Sequence, residues 1–170
     1  LYISVNISAK DFYYMDVYKT ITTLVEKYGI IPKTLKLEIT ETAIMTGISG
    51  ELEILEQFRN YGFQVEIDDF GSGYSSLNTL KDMDVDVLKI DMGFLRTTKS
   101  DRIQRSMSIL NNIIDLSKTL GLSVITEGVE TKEQVTALTK MGCRIYQGYY
   151  FSKPLPMEKF VSEVKRVNMA

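Results

Sequence analysis

Short runs in which apolar and polar residues alternate recur along this chain. Between them, apolar residues return every third or fourth position. The alternating or apolar runs read as strands over Leu1–Val5, Leu35–Ile39, Phe63–Ile67, Val85–Ile90, Leu122–Thr126 and, more briefly, Gly142–Tyr146. Helical spacing marks Ala9–Tyr28 through Phe12, Val17, Ile21, Leu24 and Val25, closed by Gly29 and Pro32. It returns in Leu52–Tyr61, with Leu52, Leu55 and Phe58 on one face, and in a long segment carrying Ile103, Met107, Leu110 and Ile114. Two more helices follow, one through Val135, Leu138 and Met141 and a last one with Phe160, Val161, Val164 and Val167. Tyr74–Asp82 reads as a short helix or a turn.

Strands that alternate with helices at about thirty residues per unit predict an α/β fold with a parallel sheet of βαβ units. No Gly-rich dinucleotide fingerprint follows any strand, which counts against a doubly wound nucleotide fold. A closed (β/α)8 barrel takes eight units and roughly 250 residues. About six units in 170 residues predict a TIM-like barrel that is incomplete, lacking its first two. The chain opens inside an alternating strand without an initiator Met, and is read as one N-terminally truncated domain, residues 1–170, of a longer protein.

Composition narrows the chemistry. With 44% apolar and 25% charged residues, the chain can bury one sizeable core. A net charge of −2 does not favour a nucleic-acid polymer as partner. No apolar run approaches the length of a membrane span. The single cysteine, Cys143, leaves no internal disulfide to form. Histidine is absent, which removes His-based zinc sites and imidazole acid–base catalysis. Chemistry here falls to carboxylates, lysine, amides and a hard metal ion.

In a (β/α) barrel the C-terminal strand ends form the active face. Those positions hold Asn6, Glu38, Asp68 with Asp69, Lys89 with Asp91, Glu127 and Gln147. Adjacent acids repel and lose hydration, so a strand ending in Asp68-Asp69 calls for a cation. Oxygen ligands without His or Cys suit Mg²⁺, Mn²⁺ or Ca²⁺. Paired metals are a recurring device for phosphodiester hydrolysis. Each residue also has a plainer role open to it. Asp68-Asp69 before Gly-Ser-Gly can cap the next helix as an Asx turn. Glu38 can face solvent by alternation, Glu41 can be a first-turn helix acid, and Asn6, followed by Ser8, can be an N-cap. Glu130 reads as the cap of a helix starting at Thr131, with Glu127 ending the strand. Gln147-Gly148-Tyr149 can be only a turn, and Tyr146, Tyr149, Tyr150 and Phe151 read more readily as core than as ligand-stacking rings. Lys89, between Leu88 and Ile90, requires a carboxylate or phosphate partner.

Asp68-Asp69-Phe70-Gly71-Ser72-Gly73-Tyr74-Ser75-Ser76-Leu77 closely resembles the DDFGTGYSSL signature of the EAL-domain cyclic di-GMP phosphodiesterases. Further matching segments follow in family order: Val5-Asn6-Ile7-Ser8, Leu37-Glu38-Ile39-Thr40-Glu41 and Leu88-Lys89-Ile90-Asp91. They continue with Thr126-Glu127-Gly128-Val129-Glu130-Thr131 and with Gln147 through Pro156. The resemblance covers essentially the whole chain. It implies a bacterial signalling domain that linearises cyclic di-GMP to pGpG on a modified (β/α)8 barrel with Mg²⁺ or Mn²⁺ in a two-metal site.

The resemblance also implies roles. Asn6, Glu38 and Asp68 resemble ligands of the first metal, and Asp68 with Asp69 serve the second. Lys89 resembles the lysine that holds the attacking water. Glu127 resembles the acid beside that water, as ligand or general base. Glu41 resembles the anchor of the loop after Asp69, and Asp91, Gln147 and Pro154 fall at the substrate. The Glu-Ala-Leu motif and the arginine after it, which precede Asn6 in the family, are absent. Thr126 and Arg144 are smaller departures. The chain alone is therefore expected to be inactive or nearly so. Alternatives are a non-catalytic cyclic di-GMP receptor or a protein-interaction domain, since open sheet edges invite a homodimer. The implied setting is cytoplasmic, in a parent that can carry an upstream sensor or diguanylate cyclase-like domain and a membrane anchor.

Overall fold

The computed structural model describes residues 2–45, 50–72, 80, 83–96 and 100–168. Six strands form one sheet: β1 (Ile3–Ile7), β2 (Leu35–Thr40), β3 (Gln64–Phe70), β4 (Val87–Ile90), β5 (Ser123–Thr126) and β6 (Ile145–Tyr146). Neighbours in the sheet are neighbours in sequence, and every pairing is parallel. Helices connect them: α1 (Ala9–Tyr14), α2 (Val17–Tyr28), α3 (Glu41–Met45), α4 (Glu51–Tyr61), α5 (Ser100–Thr119), α6 (Lys132–Lys140) and α7 (Met157–Asn168). This is the parallel α/β arrangement of a (β/α) barrel with β1 and β6 as edges.

Alternation sorts each strand into two faces. Leu37 and Ile39 of β2, Val65 and Ile67 of β3, and Leu88 of β4 are fully buried and join Val25, Leu55 and Phe58 from α2 and α4 in the main core. Ile90, Leu110, Ile114, Val129, Leu138 and Cys143 make a second cluster under α5 and α6. The residues between them, Lys36, Glu38, Glu66, Asp68 and Lys89, lie on the opposite, inner face of the sheet.

Several boundaries differ from the sequence reading. The expected helix over Ala9–Tyr28 is two helices. Met15 is extended (φ −147°, ψ 159°), and Asp16 caps α2 by accepting a hydrogen bond from the Lys19 N–H at 2.9 Å. Ser8, rather than Asn6, caps α1, with its N–H and hydroxyl both donating to Asp11 Oδ2. Thr131, not Glu130, caps α6, accepting from the Gln134 N–H at 3.2 Å. β1 runs two residues later than expected, to Ile7, and β3 continues through Asp68, Asp69 and Phe70. The five-residue α3 is not among the expected elements, but it places Glu41 in its first turn, the plainer role open to that acid. The helix or turn expected over Tyr74–Asp82 lies outside the described residues, except Leu80, which is buried.

Candidate metal and phosphate site

The inner-face charges converge at the C-terminal ends of β2 to β5. Strict alternation would send the neighbours Asp68 and Asp69 to opposite sides of the sheet. A register shift prevents it. Ile67 pairs with Leu88 and Phe70 with Ile90, so β3 takes three steps where β4 takes two. Asp69 absorbs the extra residue in a left-handed conformation (φ 55°), which a short polar side chain tolerates. Oxygens of Asp68, Asp69 and Glu127 thereby lie within 4.8 Å of one another. The turn continues at Gly71 (φ 91°), where a Cβ would stand 2.5 Å from the Phe94 ring. The Gly71 N–H donates to Glu41 Oε2 at 3.4 Å, which ties the segment after Asp69 to the first turn of α3.

Lys89 sits at the centre of this group, 3% exposed. Its Nζ donates to Asp68 Oδ1 at 2.7 Å and lies 2.9 Å from Glu38 Oε2 and 3.0 Å from Glu127 Oε1. Burial works against the ammonium charge, but the hydrogen bonds to Asp68, Glu38 and Glu127 outweigh it and push Lys89 above the ordinary lysine range. Glu127 is held above the usual carboxylate range by burial, which the bond to Lys89 only partly offsets. Asp69 is also raised, first by burial and then by the negative Asp68 and Asp91. One ammonium does not neutralise this many acids. The crowding of like charge and the all-oxygen donor set are what a hard divalent cation relieves.

Beyond Glu127 a cleft of ≈440 Å³ opens, lined also by Arg96, Gln147, Tyr149, Lys153 and Pro154. Its walls include the segments after β4, β5 and β6 and the start of α7, and those after β5 and β6 are joined through their backbones. Val129 N–H donates to Gln147 O at 3.1 Å, and Tyr150 N–H to Val129 O at 3.0 Å. A Cβ at Gly148 would stand 2.1 Å from the Val129 carbonyl oxygen, so only glycine allows this approach.

The structure thus gathers Glu38, Asp68, Asp69, Lys89 and Glu127 at one point, with Gln147 and Pro154 beside Glu127. Glu38, weighed as solvent-facing, is buried. Asn6 pairs in register with Glu38 but lies exposed on the edge strand. Asp91 turns back to accept from the Gly93 N–H at 2.8 Å. Glu130 pairs with Arg96 at 3.2 Å. Tyr149, Tyr150 and Phe151 are exposed rather than core, because nothing among the described residues covers the segment after β6. Tyr146 alone of these rings is partly buried, against the second cluster. Arg96 and Lys153 were not singled out from sequence, since both lie in connecting segments where a strand-end rule does not look. Their signal is positive charge in a cleft.

The EAL domain family profile matches residues 1–154. The bifunctional diguanylate cyclase/cyclic di-GMP phosphodiesterase MucR of Pseudomonas aeruginosa is 37% identical over 162 residues, covering 95% of this chain and 23% of MucR. The EAL enzyme Bd1971, solved with cAMP and cyclic di-GMP bound, superposes with a TM-score of 0.89 at 36% identity, over 96% of this chain and 43% of that one. Klebsiella pneumoniae BlrP1, solved with manganese and cyclic di-GMP, superposes with a TM-score of 0.80 at 29% identity, over 90% and 39% of the two chains. The chain therefore spans about a quarter of the curated relative and under half of these two solved chains.

Proposed function

This chain belongs to the EAL domain family, and on that premise we propose that it carries most of the site of a metal-dependent phosphodiesterase acting on cyclic di-GMP. The observation that carries this reading is the convergence of Asp68, Asp69 and Glu127 oxygens within 4.8 Å of one another beside the buried Lys89. Asp68, Asp69 and Glu127 would hold a divalent cation, Mg²⁺ or Mn²⁺, with Glu38 and Asn6 completing the set. A metal bound there supplies Lewis acidity and lowers the pKa of a coordinated water.

The chain's own residues do the rest. Water adds to one phosphorus of the cyclic dinucleotide, one bridging P–O ester bond breaks, and the linear pGpG leaves with a free hydroxyl. Lys89 brings a fixed positive charge to the phosphoryl oxygens as negative charge accumulates on them, and can hold the water by hydrogen bond. Glu127, its carboxyl raised by burial, stands 3.0 Å from Lys89 and can take the water's proton. Gln147, Pro154, Arg96 and Lys153 line the adjoining cleft and suit a dinucleotide with two phosphates. Glu41 holds the backbone after Asp69 through the Gly71 N–H.

Residues 1–170 form one domain in this reading, and two strand–helix units upstream of Leu1 complete its barrel. The open inner face at Asn6 supports this. The setting is the bacterial cytoplasm, in a parent with upstream input domains. No helix among the described residues is long and apolar enough to cross a membrane. The test is conversion of cyclic di-GMP to pGpG with Mg²⁺ or Mn²⁺ by the protein extended through the residues encoded before Leu1. Turnover is expected, falling at least ~100-fold in Lys89→Met, as for loss of one charge-stabilising group. Binding of cyclic di-GMP without metal and without hydrolysis would replace this reading with a receptor.

A further inference from the structure

Glu38 and Glu66 are register partners on the adjacent strands β2 and β3. Both are inner-face positions and both are buried, Glu66 to 1% exposure and Glu38 to 9%. Two carboxylates side by side on neighbouring strands repel. The structure separates them by giving each a different lysine. Glu38 turns toward the strand ends, where its Oε2 lies 2.9 Å from Lys89 Nζ. Glu66 turns the other way, where its Oε1 accepts from Lys36 Nζ at 2.6 Å. Lys36 comes from β2, two residues before Glu38 on the same face, and also stands 5.8 Å from the centre of the Tyr2 ring.

We propose that Lys36 is a positioning residue for the site. By drawing Glu66 away from the strand ends, it leaves Lys89 to Glu38, Asp68 and Glu127. Glu66 precedes Asp68 by two residues on the inner face of β3, so Lys89 is the next ammonium beyond Lys36 on that side of the sheet. With Lys36 gone, a buried carboxylate loses its compensating charge, which low-dielectric surroundings make costly. Glu66 then competes for Lys89. The ammonium moves down from Asp68 and Glu127, and the carboxylates above are left to repel. Such support beneath metal-binding residues is usually worth about 10- to 100-fold in metal affinity. This inference rests on the reading of Glu38, Asp68 and Lys89 as site residues, but it concerns where their charges point, which can be read without catalysis.

The experiment compares the parent chain with Lys36→Met, Glu66→Gln and the double variant Lys36→Met/Glu66→Gln. The first readout is the ¹H–¹⁵N resonance of the Lys89 ammonium, and the second is Mn²⁺ affinity by calorimetry. Lys36→Met is expected to shift the Lys89 resonance and weaken Mn²⁺ binding by about tenfold or more. Glu66→Gln and the double variant are expected to match the parent in both, because no competing carboxylate remains. If Lys36→Met does not fold, Lys36→Gln keeps a hydrogen bond to Glu66 without the charge and poses the same question. A Lys89 resonance unmoved in the variant lacking the lysine charge would overturn the proposal. So would a double variant as impaired as the single one, since that marks a structural pair with no charge competition. Should the parent bind no Mn²⁺, the resonance still decides the point, and only the metal reading is lost.

Discussion

The middle of the sheet and its two flanks obey the same alternation and end in opposite states. In β2 to β4 the outward residues Leu37, Ile39, Val65, Ile67 and Leu88 are fully buried beneath α2, α4 and their neighbours. On β1 the outward Ile3 and Val5 remain 57% and 40% exposed. On the far side, Met157, Phe160 and Val161 of α7 are exposed as well, and so is Ile145 of β6, which the register places on the inner face with Ile125 and Lys89. The apolar stripe of α7 is as regular as that of α4, yet it covers little. Periodicity decides which face of an element is apolar. Burial is decided by whether a second surface is there to meet it. Among the described residues, the two flanks have no neighbour on one side.

The largest expected effect lies in the covered middle. Phe58 is completely buried among Tyr18 and Phe63, and Phe58→Ala should cost about 3–5 kcal/mol in urea unfolding. A loss comparable to a surface substitution would mean that this core is far looser than its burial indicates. A smaller effect is expected at Glu51, which sits on the buried face of α4 with Leu55 and Phe58. Among the described residues, neither of its carboxylate oxygens has a hydrogen-bond partner, and burial raises its carboxyl above the ordinary value of 4.5. A carboxyl raised on folding favours the folded state while protonated. That contribution is complete at pH values below the ordinary one and is lost as pH climbs through the raised one. Glu51→Gln should therefore lose less stability than the parent between about pH 4 and pH 7. Equal slopes would remove Glu51 from the acid dependence. The smallest effect belongs to the flank. Phe160→Ala should change stability by no more than about 0.5 kcal/mol in this chain. In a protein carrying the further strand–helix units proposed above, the same substitution should cost more if those units cover α7, and an unchanged value there would show that they do not.

Much of this architecture was legible because strands two residues apart in period and helices near four separate cleanly along the chain. The identity of the strand-end residues followed from knowing where each strand stops. What was hidden came from single residues acting against the pattern. Asp16 breaks a helix whose apolar spacing runs on uninterrupted, because capping the start of α2 satisfies backbone groups that spacing does not register. The five-residue α3 is too short to show a period. Asp69 was recognised as a partner of Asp68, but the extra residue in β3 that turns both toward Glu127 depends on pairing with β4, and no local rule contains it. The cleft is held by main-chain bonds between the segments after β5 and β6, and these depend on tertiary contact rather than composition. Lys36 and Glu66 carry no signal in the sequence, since only the register shows that Glu66 stands beside Glu38.

The uniform direction of the sheet has a consequence for how the isolated chain meets copies of itself. All six strands point the same way and follow chain order, so the sheet has a leading margin at β1 and a trailing margin at β6, and the two are not equivalent. Laying β6 of one molecule against β1 of the next preserves parallel pairing. That contact uses different surfaces on the two partners, so it leaves a fresh margin at each end and need not stop at two. Any such contact would be directional, joining unlike margins of its two partners.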